Sequence, residues 1–275
     1  MKPARFDYIR AETLADAHAA LAQDGNDARV IAGGQTLLPM LSMRLARPKV
    51  LVDIMHLPQL RQITAEDNAI RVGAGVRQAK LLAWPDLAAR QPLLAAAMPW
   101  IGHAQIRSRG TVCGSVAHAD PSAEIPLVLV ALGGAIELSS RRKRRRVAAD
   151  DFFAGMMSTT RQATELIEAV IVPTRRPGHG YAFREFARRH GDFAIVACAA
   201  VAAPDGIRLA IGGVADRPTG RDLGNLDGGA LDDALDAFAW DLDARDDLHA
   251  TARYRRELVR SLGRATIAEA QQCRA

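Results

Sequence analysis

The sequence predicts an α+β protein of two domains, and three observations carry that expectation. Short apolar strand patterns alternate with helical stretches over the first 54 residues. A hairpin pattern, a group of Ala- and Leu-rich helices and further strands then run to Pro173. Beyond Pro173 the character changes, to longer strand candidates followed by amphipathic helices. The division falls near Pro173–Gly180, giving domains of 1–175 and 176–275, the first with subdomains of about 1–57 and 58–175.

The elements follow in order. Phe6–Ile9 reads as a strand. Thr13 is an N-cap, and Leu14, Ala17 and Leu21 share one face of the helix it opens. Ala28–Ala32 is a strand that runs into Gly33-Gly34-Gln35-Thr36. Leu37–Leu45 is helical in composition, interrupted early by Pro39 and ended by Pro48. Val50–Ile54 completes a βαβαβ order. Ile63 and Ile70–Gly75 form a hairpin around Glu66-Asp67-Asn68. Gln78–Trp84 and Asp86–Met98 read as helices. Gly102–Pro126 is glycine-rich and polar, and reads as a long loop. Leu127–Leu132 is helical up to Gly133-Gly134, and Ala135–Leu138 and Leu166–Val172 are strands flanking a polar middle. In the second domain Tyr181–Ala187, Ala194–Ala203 and Ile207–Ile211 are strands, the last two joined at Asp205-Gly206. After Pro218 the chain turns acidic and helical, with Ala230–Trp240 and His249–Leu262 as helices. No repeat of fixed period is present.

Composition excludes several classes. With 275 residues, 49% apolar and 24% charged, about 73% of the unfolded surface is expected to be buried, enough for a core without disulfides or a structural metal. Three widely spaced cysteines make no CxxC pair, which excludes a zinc ribbon or an iron–sulfur cluster held by this chain alone. No apolar stretch is long enough to span a membrane, and no signal peptide is legible, so the expected compartment is the cytoplasm. The net charge is +5, yet Arg141–Arg146 alone supplies six positive charges. The basicity is therefore local, read as a solvated hairpin tip or a dock for an acidic partner.

Three segments could carry chemistry. Ala32-Gly33-Gly34-Gln35-Thr36 lies between a strand and a helix, where two glycines let backbone N–H groups turn toward an oxyanion. It lacks the Walker A ending and the GxGxxG spacing, and an ordinary strand–helix turn stands as the alternative. Thr111–Ser115, leading through His118 and Asp120 to Glu124, concentrates hydroxyls, carboxylates and small residues. Its spacing fits no common metal site, and its acceptors suit a polyhydroxylated ligand. Arg188–Ala194 turns at Gly191-Asp192 and presents Phe193, either as a core aromatic or as a ring packed on a ligand. No GxSxG elbow or acid–base pair stands out, and nothing beside Cys113 activates it. No residue is assigned a catalytic role. Two backbone-rich cradles with few reactive side chains suit a protein whose cofactor performs the chemistry.

The segments AGGQTLLPMLSMRLARPKVLVDI (32–54) and TVCGSVAHADPSAEIP (111–126) resemble the flavoprotein, or medium, subunit of the molybdenum hydroxylase family, which includes aerobic carbon monoxide dehydrogenases and xanthine dehydrogenases. The likeness continues in order through 152–173, 183–200, 209–218 and 248–262, and covers nearly the whole chain. It implies an FAD-binding domain of the vanillyl-alcohol-oxidase type, built of two subdomains, and a small C-terminal domain of three strands and helices.

What the resemblance implies can be stated residue by residue. Ala32, Gly33, Gly34, Gln35 and Thr36, with Thr111, Gly114 and Ser115, would wrap the FAD pyrophosphate. Ile101, ahead of Gly102, would lie against the flavin rings, and Ile167 would cover a ring of the cofactor. His118 and Asp120 fall near the ribityl chain and phosphates, and Glu124 bonds ribityl or ribose hydroxyls. Arg184 sits where related enzymes carry a Lys facing the flavin, and Phe193 matches an aromatic, often Tyr, in front of the isoalloxazine. Cys113 replaces a common Gly, so its φ is expected to be negative. By the same resemblance a large subunit holds molybdopterin and a small subunit holds two [2Fe–2S] clusters, assembled as a dimer of heterotrimers. Electrons would pass from those clusters through FAD to an external acceptor. A self-sufficient flavin oxidase of the same fold and a basic nucleic-acid-binding module are the alternatives. The Gly33-Gly34-Gln35 triplet also resembles the GGQ of translation release factors, but apolar elements flank it here.

Overall fold

The N-terminal alternation becomes a small parallel sheet. The computed structural model describes residues 2–274. Within it β1 (Asp7–Arg10), α1 (Leu14–Asp24), β2 (Ala28–Ile31), α2 (Leu37–Ser42) and β3 (Val50–Asp53) follow in sequence, and the strands lie in the order β1-β3-β2. Thr13 caps α1 through a reciprocal pair: its hydroxyl accepts from the Asp16 N–H at 3.1 Å, and its own N–H donates to the Asp16 carboxylate at 2.8 Å. Pro39 is tolerated because it is the third residue of α2, where the N–H has no helical acceptor in any case.

The second subdomain is an antiparallel sheet with helices laid along it. β4 (Ile63–Ala65) and β5 (Ala69–Gly73) form the expected hairpin, and α3 (Gln78–Leu82) follows. The helix expected over Asp86–Met98 is broken instead into α4 (Leu87–Arg90) and α5 (Pro92–Ala97), with a 3-10 turn at Met98–Trp100. The cause is Pro92, which forces Gln91 out of the helical region, to φ −149° and ψ 88°. Gln91 is fully buried and repairs the break. Its side chain accepts from the Leu93 N–H at 3.1 Å and donates to the Pro173 carbonyl at 2.7 Å.

The stretch expected as one long loop, 102–126, contains α6 (Ala104–Arg107) and α7 (Val112–His118), and α8 (Glu124–Leu132) begins within it. β6 (Ala135–Ser139), β7 (Arg144–Ala148), α9 (Ala149–Phe152), the small hairpin β8 (Phe153–Gly155) and β9 (Ser158–Thr159), and β10 (Leu166–Pro173) complete the subdomain. Its sheet runs β4-β5-β10-β6-β7. The central strand β10 is buried from Leu166 to Val172, which is why it reads as an unbroken apolar run apart from Glu168.

The basic run is divided. Arg141–Lys143 form the exposed tip, but Arg144–Arg146 lie in the edge strand β7. Arg144, Arg145 and Arg146 each meet a carboxylate, of Glu168, Glu165 and Glu137 at 3.4, 2.7 and 2.8 Å. Burial alone would raise the Glu137 carboxyl, but the Arg146 and Arg71 guanidiniums outweigh it and hold it below its usual range.

The C-terminal part is a four-stranded antiparallel sheet, where three strands were expected: β11 (Gly180–Phe186), β12 (Val196–Ala203), β13 (Gly206–Gly212) and β14 (Thr219–Gly224), in sequence order. The strand missed is β14, a polar edge strand, TGRDLG, with no apolar alternation to announce it. Two helices, α10 (Gly228–Asp241) and α11 (Ala252–Gln272), cover one face, and α11 runs well past the expected end at Leu262. The other face meets α5 and α8. Strand β12 shows this division by alternation: Val196, Cys198, Ala200 and Ala202 pack under the C-terminal helices, while Ala197 and Ala199 join the core of the N-terminal domain.

Candidate functional site

The Ala32–Thr36 loop is brought into backbone contact with Arg109-Gly110, immediately ahead of the Thr111–Ser115 segment. A Cβ placed on Gly33 would lie 2.2 Å from the Arg109 carbonyl oxygen and 2.8 Å from the Gly110 Cα. Only glycine permits that approach. Gly34 has φ +71°, the left-handed region, and turns the chain into α2. Gln35 donates to the Gly33 carbonyl at 3.2 Å, which braces the loop. Among the described residues no acceptor meets the backbone N–H groups of Gly33, Gly34, Gln35 or Thr36. Thr36 itself is exposed, and its hydroxyl does not cap α2. This is a set of free donors in a cradle that a side chain would fill, and it fits a pyrophosphate.

Thr111 is buried and opens α7, its hydroxyl accepting from the Gly114 N–H at 3.0 Å. The cap draws the first turn tight, so Gly114 is exposed beside it and Ser115 is half-buried. Cys113 lies within that helical turn and outside the left-handed region, as expected from the sequence. Its thiol is buried, donates to the Val72 carbonyl at 3.5 Å, and is pushed up to about 12 by burial. It is a packing residue, not a nucleophile.

At the C-terminal end of α7, Ala119 adopts φ +54° and turns the chain toward α8. His118 Nε2 stands 3.9 Å from Asp120 Oδ2, and Asp120 Oδ1 accepts from the Ser122 N–H at 2.9 Å. Glu124, the first residue of α8, is 5% exposed. Burial pushes its carboxyl up to about 7, with Asp120 adding to the rise and Arg107 opposing it. Among the described residues no group of three His, Cys, Asp or Glu could hold a metal ion.

A second junction places the turn holding Phe193 against the turn after Ile101. Gly191, at φ +88°, would carry a Cβ 2.5 Å from the His103 ring and 2.9 Å from the Gly102 carbonyl. Trp100 and His190 stack with ring centroids 5.0 Å apart. Arg107 holds the same turn from within, donating to the carbonyls of Pro99, Ile101 and Gly102 at 3.3, 2.8 and 2.9 Å. Ile101 is buried, whereas Phe193 is 64% exposed, so its ring stands at the surface and not in the core. Ile167 is buried in β10, in the core that also holds Ile101 and Val112.

Arg184 is not part of this assembly. It faces α11 and pairs with Glu269 at 2.8 Å. The neighbouring Glu185 takes the other face of β11, the one on which Phe183 joins the N-terminal core. No motif marked Glu185; the alternation of β11 could have found it. The second unmarked contributor is the Arg109–Gly110 backbone, which receives Gly33.

Both parts of the chain match known families. Residues 4–175 match the model of the FAD binding domain in molybdopterin dehydrogenase. Residues 181–270 match the CO dehydrogenase flavoprotein C-terminal domain. The chain is 37% identical to the 6-hydroxypseudooxynicotine dehydrogenase complex subunit alpha of Paenarthrobacter nicotinovorans, over 98% of this chain and 96% of that protein. It is 34% identical to the carbon monoxide dehydrogenase medium chain of Hydrogenophaga pseudoflava, over 82% of this chain and 80% of that one. A solved carbon monoxide dehydrogenase from the same organism superposes with a TM-score of 0.94 at 32% identity, covering all of both chains. Quinoline 2-oxidoreductase from Pseudomonas putida 86 does so with 0.91 at 32% identity, covering 99% of each. With both halves matched in order and a loop of free donors at Gly33, the chain belongs to the FAD-binding medium subunits of the molybdenum hydroxylase family.

Proposed function

We propose that this chain carries FAD with its pyrophosphate on the Ala32–Thr36 and Thr111–Ser115 segments, and relays electrons through it. The reading places a small subunit with two [2Fe–2S] clusters upstream, a large molybdopterin subunit as the site of substrate oxidation, and an external acceptor downstream. The assembly is a dimer of heterotrimers working in the cytoplasm. Among the described residues no helix is long and apolar enough to cross a membrane, and Cys113 and Cys198 are buried free thiols, which suits a reducing compartment. When bound, FAD supplies the redox chemistry. The chain's own residues would bind and orient it: Ile101, Ile167 and Phe193 would offer apolar contacts to its rings, and His118, Asp120 and Glu124 would offer polar contacts to its ribityl side. Substrate choice would rest on the large subunit.

The observation that carries this reading is the contact of Gly33 with Arg109 and Gly110, which sets the free N–H donors of the Ala32–Thr36 loop beside the start of the distant Thr111–Ser115 segment. The test is purification of the full chain, its visible absorption spectrum, and identification of any released chromophore. The expected result is flavin bands with FAD released in stoichiometric amount. A folded, colourless chain that takes up no added FAD, alone or with its partner subunits, would overturn it.

A further inference from the structure

We propose that Glu185 is a further cofactor-binding residue, and that it and Glu124 together hold one proton when FAD is bound. The inference rests on the FAD reading above. Glu185 lies on the face of β11 that looks into the N-terminal domain, beside Phe183. Both of its carboxyl oxygens are buried, and neither has a hydrogen-bond partner among the described residues. A buried, unpartnered carboxylate is costly, and two remedies exist. The group can take a proton, or a ligand can supply the missing hydrogen bonds. The structure is arranged for both.

Glu124 opens α8, which packs against β12, the neighbour of β11, and against β13 beyond it. Burial pushes the Glu185 carboxyl up to about 8, and the negative charge of Glu124 adds to the rise. The other charged groups that bear on the pair are Asp120, which raises Glu124, and Arg107, which lowers it. The helix α5, also packed against β11, has no ionisable side chain. In β12 the one titratable group, Cys198, is turned to Thr266 of α11. Arg184 and Glu269 pair on the far face of the sheet. Among the described residues Arg107 is the cation that opposes the rise of Glu124, and it is already bound to three carbonyls.

A protonated carboxyl can donate to a phosphate or carbonyl oxygen and still accept from a hydroxyl, and FAD presents all three. FAD is an anion, so it favours the pair in its less charged form. Binding must then take up a proton wherever the free pair has lost one, and affinity falls as pH rises through the titration of the pair.

The experiment uses the full chain stripped of cofactor, with FAD as the probe. Dissociation constants are measured by flavin fluorescence from about pH 6 to about pH 9, and proton uptake by calorimetry in buffers of different ionisation enthalpy. Wild-type affinity is expected to weaken up to about tenfold per pH unit above the pair's titration, with uptake approaching one proton. Glu185→Gln keeps a hydrogen-bonding side chain but removes the titration. It should flatten the profile and bind FAD more tightly than wild type at the alkaline end. Glu185→Ala should weaken binding at every pH, and circular dichroism checks that both variants fold. A flat wild-type profile, or a Glu185→Gln profile parallel to wild type, overturns the inference and leaves FAD binding standing. Absence of FAD binding by the wild type at any pH, with or without its partner subunits, overturns both.

Discussion

Gly33 is held to glycine by a neighbour and not by its own backbone angles. Its φ lies outside the left-handed region, yet a methyl group there would overlap the Arg109 carbonyl. Neither partner is the free end of a side chain, so the loop or the 109–110 segment must move. Gly33→Ala is expected to cost about 1–3 kcal/mol of stability and to strip the purified protein of FAD. A thermal melt and the flavin-to-protein absorbance ratio check this together. Retention of full flavin content would show that the cradle does not need the close approach. The residue scale also shows where sequence reading stops. Gly33 was legible because a glycine pair between strand and helix has few uses. Arg184 and Glu185 are adjacent and equally polar, and only the phase of β11 decides which of them faces the N-terminal domain. That phase is set by Ala182 packing under α11 and Phe183 packing the other way, a tertiary fact.

At the scale of elements, α7 does the positioning. A seven-residue helix has little stability of its own, so its start must be fixed by side chains and packing. Thr111 supplies the cap, and Val112 and Val116 anchor the helix in the core beside β5 and β10. Thr111→Val preserves shape but removes the acceptor for the Gly114 N–H. The expected loss is about 1 kcal/mol in urea unfolding, with a weaker FAD complex. An unchanged midpoint and unchanged affinity would mean that tertiary packing alone holds the segment. The same helix explains a failure of pattern reading. Gly114, Ser115 and the Asp120-Pro121 turn give 102–126 the composition of a loop, and the apolar positions of so short a helix complete too few turns to show a period. The βαβαβ start and the buried strand β10 were legible because each rests on local chemistry, a capping box in one and a continuous apolar run in the other. The polar edge strand β14 was not, because its register is imposed by β13, with Arg208 of that strand paired to Asp222.

At the scale of the molecule, the two domains are not independent bodies. Phe183, Ala194, Ala197, Ala199 and Ala210 of the C-terminal sheet belong to the same buried cluster as Leu93, Leu94, Leu127 and Val128. Alanines on that face let α5 and α8 lie close against the strands. The junction is therefore core and not a docking surface, and it includes Ile125, next to Glu124, and Phe183, on the same face of β11 as Glu185. Buried polar bonds reinforce the C-terminal side: Arg255, 5% exposed, donates to the Ile195 and Gly213 carbonyls at 2.7 and 2.6 Å and pairs with Asp247. Two consequences follow from a shared core. Residues 1–175 alone would expose the apolar faces of α5 and α8, and are expected to be recovered as aggregate without FAD. The full chain should unfold in one calorimetric transition, raised by FAD as a whole by about 2.7 kcal/mol at a hundredfold excess over the dissociation constant. Two transitions, with FAD shifting only one of them, would show that the domains part before they melt and that the C-terminal sheet contributes little to the cofactor site. A single shifted transition would show that the shared core makes the C-terminal sheet unfold together with the part that binds FAD.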